Sequence, residues 1–312
     1  MPIPTPNRNE TQGDFMGRCV RFMMGEGKDN EQALAICFDQ YRQTNKEEAQ
    51  RYYMTWKTFD NKRRSFERYA QRTFYRALRN QLKQYLDELD RVNTIDFDLE
   101  GVITTEPMVE AYTKVYKRIM KVFGQESYAN VRESVQKEVG VDWDTLIEQW
   151  IAGSPALGVN ESDTTSKIVK GSIPLVTATT QKRVREAVAI ALKEGTSIPN
   201  FAKQLKKDYG FSIRRATLIG RTEIIAASNA GSVLGAQASG VPTRKIWLST
   251  QDDRTRDLHI EASGQKVPNL ETPFVVGGDE MQYPGDPSLG AAASNTINCR
   301  CTVIYEPYDD NF

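Results

Sequence analysis

His259 is the chain's single histidine, and it is followed toward the C-terminus by Cys299-Arg300-Cys301, which holds two of the four cysteines. Imidazole and thiolate are the preferred ligands of zinc, and an acid such as Asp252 or Asp257 is a candidate to complete four. The spacing is not that of a standard knuckle. Cys-x-Cys is tighter than Cys-x-x-Cys, and if the segment is a strand, both sulfurs share one face while Arg300 points the other way. The competing reading has Cys299 and Cys301 as small core residues and His259 hydrogen-bonded to a carboxylate or carbonyl. Ahead of the histidine, Asp252, Asp253, Arg254, Arg256 and Asp257 alternate in sign. This pattern suits an ion-pair network with Arg221 and Glu223, Arg221 meeting Asp252 or Asp253 and Glu223 meeting Arg254 or Arg256. Arg221, Glu223, Asp252 and His259 are also the residue types that a nuclease or an ADP-ribosyl transferase would need for acid–base work.

Other catalytic signatures are missing. The 312 residues contain no GxxxxGK[ST] loop, no HExxH and no GxSxG. Forty-one basic side chains balance forty-one acidic ones, so nucleic-acid binding would need a local patch. One such patch exists. Between Arg51 and Lys83 the basic residues far outnumber the acids Asp60 and Glu67, and Arg64, Arg68, Arg72, Arg76 and Arg79 fall along one helical face among aromatics. That face is either solvated or set to meet phosphates or an acidic partner.

The elements that must carry these residues are mostly helical. Phe15, Cys19, Val20 and Met23, then Leu34, Cys37, Phe38 and Tyr41, predict a helical hairpin with one cysteine on each apolar face. Buried free thiols are the expectation there, a disulfide or metal pair the alternative. A long helix, or two stacked ones, is predicted from Glu47 to Val92, followed by an acidic connector over 87–106. Helices are expected again over 107–123, 125–139 and 143–151, with a Gly/Ser/Pro-containing boundary at 153–165. Thr180 is the expected cap of a helix ended by Gly195; another runs from Pro199 to Tyr209, and Ser212 caps a third that reaches Ser239. The small residues from Ala226 to Ser239 predict close backbone packing. Short β-runs are expected over 244–248, 265–267, 274–276 and 301–305.

The expected fold is therefore α+β and predominantly α-helical, with an elongated helical N-terminal region before a compact module of helices and a small β-sheet. The expected divisions are a hairpin module over 1–45, a basic helical region over 46–160 and the C-terminal module over 161–312. Met1-Pro-Ile-Pro-Thr-Pro lacks the features of a signal peptide, and no long apolar run is present, so a soluble, unexported chain is expected.

Several separate blocks carry a resemblance. Gly220-Arg221-Thr222-Glu223, Asn229-Ala230-Gly231, Trp247 through Arg256, His259, Gly264-Gln265-Lys266-Val267, Tyr283-Pro284-Gly285-Asp286-Pro287 and Asn298-Cys299-Arg300-Cys301 follow the order and spacing of the phage Mu F-like minor head proteins. The chain resembles that family over about residues 165 to 306. Met1 to Tyr41 is also similar to short N-terminal modules of phage head proteins. The resemblance implies a non-enzymatic minor capsid component of a tailed bacteriophage, assembled in the host cytoplasm and resident in the virion head. It implies contact with the portal and with capsid or scaffold proteins, no membrane, and a part in packaging or ejection of double-stranded DNA. Structural zinc is the single candidate cofactor. Some relatives of that family are linked to toxins; the end of the chain at Phe312 is expected to leave no room for one. The alternative reading is a metal-dependent nuclease or ADP-ribosyltransferase-like effector carried in the head.

Overall fold

The computed structural model describes residues 3–6, 12–44, 46–99, 101–133, 140–158, 171–250, 252 and 254–307. The expected boundary over 153–165 and the end of the expected helix over 125–139 fall in part outside these residues. Helices dominate: α1 Gln12–Gly25, α2 Asn30–Thr44, α3 Lys46–Val92, α4 Glu106–Arg132, α5 Trp143–Gly153, α6 Ser172–Glu194, α7 Ile198–Leu205, α8 Ile213–Ser239, α9 Asp257–Glu261 and α10 Ala293–Thr296. The strands are β1 Thr243–Leu248, β2 Lys266–Val267, β3 Phe274–Val276, β4 Asp279–Met281 and β5 Thr302–Pro307. The fold is α+β with helix predominant, as the patterning predicts.

Two compact units interleave along the chain. The first comprises 1–65, 122–140 and 228–312; the second comprises 66–121 and 141–227. Helices α3, α4 and α8 each give one stretch to each unit.

In the first unit β1 is the middle strand of an antiparallel sheet ordered β2-β1-β5, with Trp247 opposite Val303 and Leu248 opposite Thr302. Tyr52 of α3 packs on Ile246 and Leu248, and Arg51 and Arg244 both pair with Glu306. β3 and β4 form a hairpin turned by Gly277-Gly278, both at positive φ, where glycine carries no steric penalty. β4 has no counterpart among the expected strands. The α1–α2 hairpin packs Phe15, Met16, Cys19, Val20, Cys37 and Tyr41 together with Ile260 of α9. Cys19 and Cys37 are joined by a disulfide, a correction to the free thiols expected from their apolar surroundings. Each apolar face carries one cysteine, and hairpin pairing brings their Cα atoms to 5.8 Å, within disulfide reach.

α4 runs unbroken through Gly124, where sequence reasoning expects a break. The cause lies across the interface with α8. A Cβ added to Gly235 would sit 2.1 Å from the Gly124 carbonyl oxygen, so the two helices meet where neither has a side chain. The small-residue run of α8 thus does what its composition predicts.

In the second unit, Phe74, Leu78 and Tyr85 of α3 and Tyr112, Val115 and Tyr116 of α4 are buried. The connector after α3 is anchored, since Ile95, Leu99 and Ile103 are buried and Gln181 donates to the Ile103 carbonyl. α6 begins well before Thr180, which is no cap: buried inside the helix, its hydroxyl donates to the Val176 carbonyl. Gly195 ends α6 in the left-handed conformation. α7 stops at Leu205 and a 3-10 turn, Tyr209–Phe211, intervenes before Ser212, whose hydroxyl accepts the Arg215 N–H at the start of α8.

Candidate functional site

β1, α9 and the approach to β5 assemble the rarest side chains of the chain. Trp247, fully buried, exchanges backbone hydrogen bonds with Gly264 and Gln265, which folds the α9 segment back over the strand. The indole then meets His259 edge-on, ring centroids 5.8 Å apart. Asn298, in the left-handed region at φ 56, turns the chain out of α10, so Cys299 and Cys301 precede the strand instead of alternating along it. Both sulfurs nevertheless face the histidine: Nδ1 of His259 is 3.3 Å from Cys301 Sγ and 3.6 Å from Cys299 Sγ. The three ligand atoms lie within 4.8 Å of one another, and all three residues are buried. The hydrogen bond from Cys301, helped by His259, holds the Cys299 thiol well below its ordinary range, while burial pushes Cys301 up.

Neither candidate carboxylate joins them. Asp252 is clamped by Arg300, Nη1 and Nη2 at 2.5 and 2.6 Å, and this bidentate contact keeps its carboxyl far below the usual range. Asp257 accepts from Asn30 Nδ2 at 2.7 Å. Arg300 points away from the sulfurs, as expected, but it supplies the partner that sequence reasoning had sought in Arg221.

Beneath the cysteines lies Arg63 of α3. Its Nε donates to Ser228 Oγ at 2.6 Å, Nη2 to Asn229 Oδ1 at 2.8 Å and to Thr302 Oγ1 at 3.2 Å, and Nη1 to the Cys301 carbonyl at 3.2 Å. Asn229 Nδ2 in turn donates to the carbonyls of Pro284 and Cys301. The blocks around Asn229, Pro284 and Cys301, separate in sequence, therefore close on one buried guanidinium. Burial lowers Arg63 to about 10, opposed by the negative charge of Cys299, Asp60 and Cys301. Sequence reasoning counted Arg63 only within a basic stretch. The available signal was its phase, since it lies on the same stripe as Phe59, Phe66 and Ala70, all buried. Lys245 was also missed: burial in β1 lowers it to about 8, and its Nζ donates to Leu270 and Gln282.

The expected ion-pair network takes a different form. Arg221, exposed, lies 3.4 Å from Glu67. Among the described residues Glu223 meets no arginine; its carboxylate accepts from Tyr112 Oη at 3.1 Å and Tyr116 Oη at 2.7 Å, and burial raises it to about 7. Arg254 pairs with Asp252 at 3.4 Å, Arg256 donates to the Ile297 carbonyl, and Asp253 lies outside the described residues. Charge alternation indicated the sign of the partners of Arg221 and Asp252 without their addresses, whereas Glu223 and Arg256 meet neutral groups. On the basic face, Arg64 pairs with Asp60 at 2.7 Å and Arg79 donates to the Lys206 carbonyl. Arg68, Arg72 and Arg76 are exposed, and no ion pair is described for them.

The small antiparallel sheet, the α8 helix feeding it and the cysteine segment closing it form an α+β module. Residues 182–304 match the family described as Phage Mu protein F like protein. The chain is 28% identical over 172 residues to Minor head protein GP7 of Bacillus phage SPP1, covering 51% of this chain and 54% of that protein. It is 29% identical over 126 residues to the NAD(+)--arginine ADP-ribosyltransferase EFV of Enterococcus faecalis, 39% of this chain and 25% of that one. A Bacillus subtilis protein, YqbB, is 26% identical over 128 residues, 40% of this chain and 41% of that one. The chain thus spans about half or less of the relatives it matches. No solved structure matches it.

Proposed function

We propose that the chain is a structural minor head protein of a tailed phage, acting in head morphogenesis beside the portal and residing in the assembled head. The observation that carries this reading is the match of residues 182–304 to the Mu F-like family, together with the minor head protein of phage SPP1 among the relatives. The hydrogen bonds of Arg63 and Asn229, which tie α3, α8 and the cysteine segment together, support a structural role. Among the described residues no helix is long and apolar enough to cross a membrane. Mass spectrometry of purified particles and a pull-down on portal protein test the reading. Recovery in heads and retention on portal are expected; presence only in host cytosol sinks it.

DNA contact is assigned to the exposed face of Arg68, Arg72 and Arg76. Each phosphate neutralised steepens the fall of affinity with salt. Changing the three arginines to Glu should abolish duplex binding; unchanged binding, or none in the unaltered chain, removes this assignment.

The relative named as an ADP-ribosyltransferase keeps an effector reading in play. Of the four residues proposed for it, Glu223 is buried against Tyr112 and Tyr116, and Asp252 is clamped by Arg300. NAD hydrolysis above background, lost on Glu223→Gln, would favour the effector over the structural protein.

A further inference from the structure

We propose that His259, Cys299 and Cys301 bind one divalent cation of the zinc class, and that Arg63 is the positioning residue that holds the cysteine segment in its metal-ready form. In a tetrahedral zinc site with bonds of about 2.0–2.3 Å, a nitrogen and a sulfur ligand are separated by about 3.5 Å. The two Nδ1 to Sγ distances, 3.3 and 3.6 Å, bracket that edge. Nδ1 faces both sulfurs, which identifies it as the ligand nitrogen. The donor set is soft enough for zinc and too poor in oxygen for calcium or magnesium.

The charge around the site favours the same state. A buried cation is costly unless it meets negative charge. All four acceptors of Arg63 are neutral: two hydroxyls, a carboxamide oxygen and the carbonyl of Cys301 itself. Asp60, the carboxylate whose charge acts on Arg63, pairs with Arg64. A divalent cation held by two thiolates would bring compensating negative charge beside that guanidinium. On binding, the cation forms two bonds to sulfur and one to nitrogen, and the S–H protons leave to solvent. Among the described residues no further His, Cys, Asp or Glu joins the group. Thr250 directs its backbone N–H at Cys301, and its buried hydroxyl has no hydrogen-bond partner among the described residues.

The test uses the full chain, purified under reducing conditions, loaded with zinc and washed. About one zinc per chain is expected, and cobalt in its place should give a thiolate-to-metal charge-transfer band. His259→Ala, Cys299→Ser and Cys301→Ser should each drop the content below about 0.2 per chain, because structural zinc otherwise binds tightly. Arg63→Gln should weaken cobalt affinity about 10- to 100-fold, the range expected for an outer-shell residue, and Arg63→Lys should weaken it less. Less than about 0.2 zinc in the folded, reduced, loaded chain overturns the site. So does a Cys299–Cys301 disulfide persisting under those conditions. Equal cobalt affinity in folded Arg63→Gln overturns the positioning role. If the variants do not fold, zinc content and the cobalt band of the unaltered chain decide the site, and the Arg63→Lys affinity decides the role.

Discussion

Asn229 is bonded through both ends of its carboxamide: Oδ1 accepts from Arg63 at 2.8 Å while Nδ2 donates to Pro284 at 2.9 Å. One side chain thereby fixes an arginine of α3 and the Tyr283–Asp286 turn against α8. Replacing it with Ala leaves a buried guanidinium hydrogen and two carbonyls short of partners, at a cost of about 2–4 kcal/mol. A urea midpoint lowered accordingly, at unchanged slope, is the expected outcome; a shift below about 0.5 kcal/mol would mean the network is not formed in solution.

Gly235 and Gly17 should respond in opposite directions to the same change. A methyl at Gly235 would strike the Gly124 carbonyl oxygen, so Gly235→Ala should destabilise by about 1–3 kcal/mol or more. At Gly17, inside α1, an added Cβ meets nothing within 4 Å, and Ala should stabilise by about 0.5–1 kcal/mol. Thermal melts of the two variants check the pair.

Glu223 makes stability depend on pH. Its folded value, about 7, lies above the ordinary 4.5, so the folded chain holds the proton more tightly than the unfolded chain. The resulting stabilisation is complete below about pH 4.5 and is lost as the pH rises through 7, amounting to about 3 kcal/mol. Glu223→Gln should remove that slope and leave the variant the more stable of the two at pH 8. Parallel slopes for both chains would show that the carboxyl ionises normally.

Arg300 and Asp252 should couple by about 1 kcal/mol in a double-mutant cycle with Arg300→Met and Asp252→Asn, because the pair is bidentate yet partly exposed. Since Asp252 is depressed, its contribution is present above the ordinary carboxylate range and fades as the pH falls below it. Additive single variants would contradict the clamp.

Reduction of the Cys19–Cys37 bond, which closes a separation of 18 residues, should lower the stability of the hairpin by about 3 kcal/mol. Hydrogen exchange of α1 and α2 with and without reductant reads this directly; identical protection would mean the bond adds nothing to packing that already holds.

What could be read beforehand was whatever leaves a periodic trace. The run from Glu47 to Val92, free of Pro and Gly, announces α3, and Gly/Pro/Asp-rich turns between short β-like runs announce the strands. Gathering His259 with Cys299 and Cys301 was also legible, because rare residue types stand out. Illegible were events decided by a distant partner. Gly124 stays helical because Gly235 arrives opposite it. Thr180 is no cap because Arg215 and Val176 take its hydroxyl inside the helix. Arg63 was hidden by its own type, since a cation on an apolar stripe reads as surface until its neutral acceptors come into view.

That arginine has a consequence for where the domain ends. The stretch matched to the family runs from 182 to 304, yet its polar centre is completed from α3, 166 positions ahead of Asn229. Excised at its recognisable borders, the module would carry a socket of oxygens with no plug. The boundary drawn by similarity and the boundary drawn by solvation differ, and only the second is a unit that water would leave intact.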